Sequence, residues 1–236
     1  MPAGGSETRF RTNRDGAKPV LPRITLLTVD VMTSSEGVDD DKRSTLRRFA
    51  ALGASAPVAG LSESASADTG ESDARDAITG YLSTTPGAHF SKIRDDLQLG
   101  TGETQHHLRR LEERGVVERY RDGDYKRFVP AGRFDEFEKR ALGYLRRDTP
   151  RGMLVELLLA PESTAGDLAD ALEVSAPTVS KYAGELEDAG LLSREDGYAL
   201  ERPATVLVLV VRHADSFGDR ARRLARDADQ YVAYDG

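Results

Sequence analysis

The stretch "GTGETQHHLRRLEERGVVERYRDGDYKRFVP", Gly100 to Pro130, gathers two adjacent histidines, six arginines, a lysine and an Asp-Gly pair. Such a set could hold a metal, move protons or bind an anion. Neighbours on a helix project about 100° apart, so His106 and His107 cannot both ligate one ion; good pairs stand at i, i+4. The chain has no Cys to complete a ligand set. No metal site and no cofactor are therefore expected. His107 reads as packing partly inward, while His106 faces outward.

Catalysis finds no better footing. No GxSxG motif or phosphate-binding loop is present, and Asp95-Asp96 and Glu112-Glu113 fall on amphipathic helices as solvated acidic pairs. The expectation is that this is not an enzyme. What remains is a basic surface for an anion.

The 236-residue chain is 39% hydrophobic and 31% charged, with net charge -7 and no Trp. Arg outnumbers Lys by 27 to 6 and Asp outnumbers Glu by 23 to 17, a balance compatible with salt adaptation. Absence of Cys excludes a disulfide framework and a thiolate nucleophile. The longest apolar run, Val206 to Val211, is far short of the ~18 residues that span a bilayer, so no membrane is expected.

Periodicity places the basic residues on elements. Ser72 reads as an N-cap to a helix with Ile78 and Leu82 inward, stopped by Pro86-Gly87. Phe90, Ile93 and Leu97 share one helical face. After Gly100 a further helix, from Thr101 or Thr104 to Arg114, turns Leu108 and Leu111 inward and ends at Gly115. Strands Val116 to Tyr120 and Tyr125 to Val129 flank Asp122-Gly123, a strong hairpin signal.

An internal repeat decides the architecture. "IRDDLQLGTGETQHHLRRLEERGVV" aligns without a gap on "LADALEVSAPTVSKYAGELEDAGLL" at an offset of 75 residues. Ile93 pairs with Leu168, Leu97 with Leu172, Leu111 with Leu186 and Gly115 with Gly190. Each apolar match falls where a helix-turn-helix buries a side chain, and Asp196-Gly197 opens a shorter second wing. The expected fold is mainly α with small β-wings, two tandem winged helix-turn-helix domains plus C-terminal helices.

The chain from about residue 73 to 236, above all "PGAHFSKIRDDLQLGTGETQHHLRRLEERGVVERYRDGDYKRFVP", resembles archaeal, especially haloarchaeal, transcriptional regulators with two winged helix-turn-helix domains on MarR- and ArsR-type wings. The resemblance implies binding to double-stranded DNA and transcriptional control.

In a helix-turn-helix the second helix enters the major groove with its N-terminal residues at base edges. The candidates in the first unit are Thr101, Gly102, Glu103, Gln105, His106, Arg109 and Arg110. Gln can read adenine and Arg guanine. Wing residues Arg119, Arg121, Lys126 and Arg127 are placed for phosphate or the minor groove. The second unit offers Ser175, Thr178 and Lys181. Charge separates the units: residues 73–130 hold ten Lys/Arg against ten Asp/Glu, and residues 133–201 hold eight against fifteen. The first is expected to be the main reader.

This reading divides the chain into a disordered tail at 1–72, a first winged domain at 73–131, a connecting helix at 132–149, a second winged domain at 150–202 and a helical dimerisation segment at 203–236. Residues 44–67, with Arg47-Arg48 and a later Ala-Ser-Ala, resemble a twin-arginine export signal. That segment lies well inside the chain, however, and a flexible tail in a cytoplasmic, nucleoid-associated protein is preferred. Thr205 to Val211, apolar all round and β-branched, fits a strand as well as a helix by its pattern, and the resemblance implies a helix. With a helix from Ser216 to Tyr231, which puts Phe217, Leu224 and Tyr231 on one stripe, it is expected to hold a homodimer. No small-molecule ligand is evident. The alternative function is a protein-interaction or architectural chromatin module.

Overall fold

The computed structural model describes residues 35–54 and 69–228. Helices α1 (Ser35–Ala54) and α2 (Thr69–Thr84) precede a short strand β1 (Ala88–His89), helices α3 (Phe90–Asp96) and α4 (Thr101–Glu113), and the hairpin β2 (Val117–Asp122) and β3 (Tyr125–Pro130). Helix α5 (Glu136–Leu145) connects to the second unit, which comprises α6 (Asp148–Leu159), α7 (Ala165–Leu172), α8 (Ala176–Asp188), β4 (Leu192–Ser193) and β5 (Ala199–Leu200). Helices α9 (Pro203–Arg212), α10 (Ala214–Phe217) and α11 (Asp219–Arg226) follow.

Two expectations about the tail need correction. Residues Ser35–Ala54 are helical, so residues 1–72 are not uniformly a disordered tail. Leu46 and Phe49 are three apart on α1; Leu46 is buried, and Phe49 meets the Tyr81 ring edge-on at 5.3 Å. That stripe is short and lies among Ala, Ser and charged residues, which is why periodicity missed it. The twin arginines of the signal-like segment sit on this same helix; residues 55–67 of that segment, like residues 1–34, lie outside the described residues. Second, α2 starts at Thr69, not after a cap at Ser72.

The register of the repeat carries through to the backbone. α4 spans Thr101–Glu113 and α8 spans Ala176–Asp188, residue for residue at the offset of 75. Gln98 and Glu173 both take the left-handed conformation, at φ 54° and 55°. In each unit the same two turn amides bond back onto the preceding helix, Gln98 N to Asp95 O and Leu99 N to Arg94 O in the first, Glu173 N to Asp170 O and Val174 N to Ala169 O in the second. Caps hold the helix starts: His89 Nδ1 accepts from Lys92 N, Asp135 from Glu138 N and Ser175 from Thr178 N. Each leaves one fewer bare amide at a helix start.

The wing sheet has three strands in the order β1-β3-β2, not the two expected. A two-residue strand is too short to show a period. β2 and β3 pair from Val117↔Pro130 to Asp122↔Tyr125, so the loop residues are Gly123 and Asp124, with Gly123 at φ 57°. The Asp-Gly signal located this turn one residue early.

Apolar residues form two cores. One gathers Leu46, Ile78, Tyr81, Leu82, Ile93, Leu97, Leu108, Leu111, Val117 and Phe128. The other takes Val129 together with α5 to α8 and the C-terminal helices. Val206, Leu209, Val210, Phe217 and Leu224 are all at most 2% exposed in that second core. The expected dimer-holding surface is thus largely satisfied within the chain. The single Ser216–Tyr231 helix is also revised: Gly218, at φ 87°, separates α10 from α11, and Tyr231 lies outside the described residues. Periodicity counts apolar residues, but it cannot tell a partner chain from the chain's own second core. No helix among the described residues is long and apolar enough to cross a membrane.

Candidate nucleic-acid interface

Helix α4 starts at Gly100, whose amide donates to Glu103 Oε2 at 3.1 Å, while Thr104 Oγ1 donates to Gly100 O at 2.9 Å. Thr104, His107, Leu108 and Leu111 turn into the core and leave Thr101, Gly102, Gln105, His106 and Arg109 exposed along one side. The helical period sorts these residues, with His106 outward and His107 inward. Arg110 is half-buried. Arg109 Nε lies 2.8 Å from Glu113 Oε1, with both side chains largely in solvent. Such a pair stabilises little and is easily exchanged for a phosphate or base.

Alternation sorts the wing in the same way. Arg119, Arg121 and Lys126 share the sheet face that turns Val117 and Phe128 into the first core. Arg119 Nε lies 3.4 Å from Glu112 Oε1. Arg121 and Lys126 stand directly opposite one another across the hairpin, both exposed. Neither has an ion-pair partner among the described residues. Like charges in that register repel, so a bound anion would relieve them.

Arg127 must be withdrawn from the DNA-binding set. It is 2% exposed, on the opposite sheet face, where Nε lies 2.6 Å from Asp122 Oδ2 and Nη1 donates to Gly87 O at 2.9 Å. Asp122 also receives Arg147 Nη2 at 2.5 Å. This carboxylate lies so close to α5 that a Cβ added at Gly143 would fall 2.9 Å from Asp122 Cγ. Adjacent strand residues point to opposite faces, so Lys126 and Arg127 could never both have faced the same ligand.

Recognition helix and wing converge. Thr101, Gln105, Arg109, Arg119 and Lys126 line one cleft of about 390 Å³ floored by Leu108 and Phe128. In the second unit Ser175 and Thr178 are spent on each other, Oγ to Oγ1 at 2.8 Å, and Lys181 Nζ sits 3.8 Å from Glu185.

Sequence reasoning missed Lys42. Its Nζ lies 3.2 Å from Glu103 Oε2, bringing α1 to the first turn of α4. Burial works to raise the Glu103 carboxyl, but the Gly100 amide and Lys42 outweigh it and hold the group below its usual range. Lys42, Leu46 and Phe49 stand at i, i+4 and i+7, a signal present in the sequence.

Residues 72–142 match a family model described as an N-terminal HTH domain, and residues 140–198 match the MarR family. Comparison with curated proteins and with solved structures gave no match. The two family matches meet inside α5, where the first unit gives way to the second. Together they identify a DNA-binding transcriptional regulator with two helix-turn-helix domains in tandem, the second similar to the MarR family.

Proposed function

We propose that the first unit is the reading head. Helix α4 enters the major groove with Thr101, Gly102, Gln105, His106 and Arg109 at base edges, while Arg110 and Arg119 approach the flanking backbone. Arg121 and Lys126 on the wing take an adjacent phosphate. The observation that carries this reading is the Arg121–Lys126 pair, without an ion-pair partner among the described residues, on the same side as the exposed face of α4. Ser175, Thr178 and Lys181 form at most a weaker second contact, because residues 133–201 carry fifteen acids against eight bases.

One winged unit covers a short site, so a homodimer on a (pseudo)palindromic sequence belongs to this proposal, with half-sites about 10 base pairs apart or a multiple of that. The protein would work on the nucleoid, in the cytoplasm. The test is DNA affinity measured across salt concentrations. A reader of this kind loses affinity steeply, with one unit of log–log slope for roughly each phosphate contact. A protein-interaction or architectural module that uses the acidic second unit would show little salt dependence and no preferred sequence.

A further inference from the structure

The wing hairpin changes character along its length. β1 pairs with β3 only at Ala88↔Phe128 and His89↔Arg127. Beyond Arg127 the last two pairs, Arg121↔Lys126 and Asp122↔Tyr125, have no third strand beside them. A two-stranded ribbon is marginally stable in water. This one also sets the like charges of Arg121 and Lys126 directly opposite each other. Its tip needs support from outside the sheet.

That support comes from the back of the wing. Asp122 follows Arg121 in the chain, so its side chain stands on the other sheet face, where it is 12% exposed. Arg127 ties this carboxylate to the first unit, since its Nη1 donates to Gly87 O. Arg147 ties it to the second. Nη2 of Arg147 lies 2.5 Å from Asp122 Oδ1, and Nη1 lies 3.5 Å from Glu185 Oε2. The guanidinium rests over the Tyr144 ring at 4.6 Å, and Tyr144 Oη donates to Glu185 O at 3.0 Å. Glu185 is on α8, the helix that repeats α4, one turn beyond Lys181. One planar guanidinium thus spans two carboxylates, one at the wing tip and one on the second helix-turn-helix.

Folding gains little from this bridge. The Arg147 and Glu185 side chains are 29% and 33% exposed. Without Arg147, Asp122 keeps Arg127 at 2.6 Å and Glu185 keeps Lys181 at 3.8 Å. No buried charge is stranded. What the bridge fixes is a position.

We infer that Arg147 is a positioning residue for DNA binding: seated by Glu185 on α8, it holds the wing tip through Asp122, so that Arg121 and Lys126 are already ordered when they meet the phosphate backbone. A wing held in place beforehand spares the cost of ordering it on binding. The second helix-turn-helix then serves as a brace for the first unit's wing, a role that its acidic surface permits. This role rests on the phosphate contact proposed above for the wing.

Two measurements on the full chain test the brace. Without DNA, hydrogen exchange is followed by NMR in Arg147→Met and Glu185→Gln. Amides at 120–127 should exchange about tenfold faster than in the parent, while those of α4 keep their parental rates. With DNA, a mixed-sequence duplex of about 40 base pairs suffices as probe, because phosphate contacts are independent of sequence. Each variant should bind it roughly tenfold more weakly, the effect of having to order two long side chains. That loss should vanish in a chain that already carries Arg121→Ala and Lys126→Ala, since the brace then has nothing to position. Glu185→Gln is near-isosteric at a half-buried site, so it carries the test should Arg147→Met fail to fold. Parental exchange rates at the wing tip would overturn the brace, as would a loss of affinity that persists undiminished in the Arg121→Ala, Lys126→Ala background. The two proposals fail differently. If Arg121→Ala with Lys126→Ala leaves binding unchanged, the wing's phosphate contact falls and the positioning role falls with it. If that pair weakens binding but Arg147→Met and Glu185→Gln do not, the brace alone falls.

Discussion

Arg127 Nε rests 2.6 Å from Asp122 Oδ2 inside the molecule, although both residues belong to the wing. Asp122 also holds Arg147, at the N-cap of α6, at 2.5 Å, so the hairpin is fastened to the start of the second unit through one carboxylate. Removing Asp122 leaves the buried Arg127 charge without a carboxylate, which costs about 3–5 kcal/mol. Asp122→Ala should therefore lower the unfolding midpoint sharply. A variant with parental stability in urea would show that this network does not hold the hairpin.

The neighbouring residue should behave in the opposite way. Lys126→Ala and Arg121→Ala should leave stability within about 0.5 kcal/mol of the parent, as surface changes usually do. They should also weaken binding to all DNA sequences about equally and reduce the salt slope by about one unit per lost contact. Loss confined to a single sequence would mean that the wing reads bases.

On the recognition helix, Gln105→Ala or Arg109→Ala should cost about 1–3 kcal/mol on the preferred site and relax selectivity there. Arg109 gives up only an exposed pair with Glu113, so folding should not change. If both variants kept full affinity and selectivity in a competition assay, α4 would not be the reader.

Much of this architecture is legible from the chain because a repeat multiplies weak signals. A lone apolar residue such as Ile93 means little, but Ile93 with Leu168 and Leu111 with Leu186, at the same offset, require the same buried geometry twice. The face of α4 was readable for the same reason, since a period of 3.6 is long enough to sort thirteen residues. Composition groups Arg127 with Lys126 on the wing, whereas alternation along β3 puts the two on opposite sides of the sheet. The bridge from Asp122 through Arg147 to Glu185 has no local signal at all. Its groups stand at 122, 147 and 185 and meet only through tertiary packing.

Acid should destabilise the fold in a defined window. His213 is pushed down from the ordinary 6.5 to about 4 by burial, aided by Arg146 and Arg212, and His89 and His107 are also lowered, chiefly by burial. An unfolded chain takes up these protons near pH 6.5, whereas the folded chain resists until lower pH. The stability held by neutral histidines is complete above pH 6.5 and declines as pH falls toward 4, by up to about 3 kcal/mol for His213. His213→Leu should flatten the plot of unfolding free energy against pH between 6.5 and 4.5. An unchanged slope would assign the acid sensitivity elsewhere.

Truncation before Pro203 should not produce a folded monomer. Val206, Leu209, Val210, Phe217 and Leu224 lie in the second core, and Arg146 reaches from α5 to Ser216 O and stacks 4.3 Å over Phe217. A single Leu209→Ala change should cost about 2–5 kcal/mol. The truncated chain should lose its cooperative transition in calorimetry, and a sharp parental melt would show that the segment is dispensable.

The offset of 75 also makes the second reading helix a blank form. The positions that carry Gln105, His106 and Arg109 on α4 correspond to Ser180, Lys181 and Gly184 on α8. The scaffold is the same, but the side chains that would read bases are absent from these positions. At Gly184 a side chain would meet no atom within 4 Å of its Cβ, and glycine within a helix costs about 1 kcal/mol relative to alanine. Ser180→Gln with Gly184→Arg would therefore write the first unit's text onto the second without disturbing the frame. One polypeptide would then have two potential readers at a fixed separation, and its preferred DNA site would lengthen accordingly.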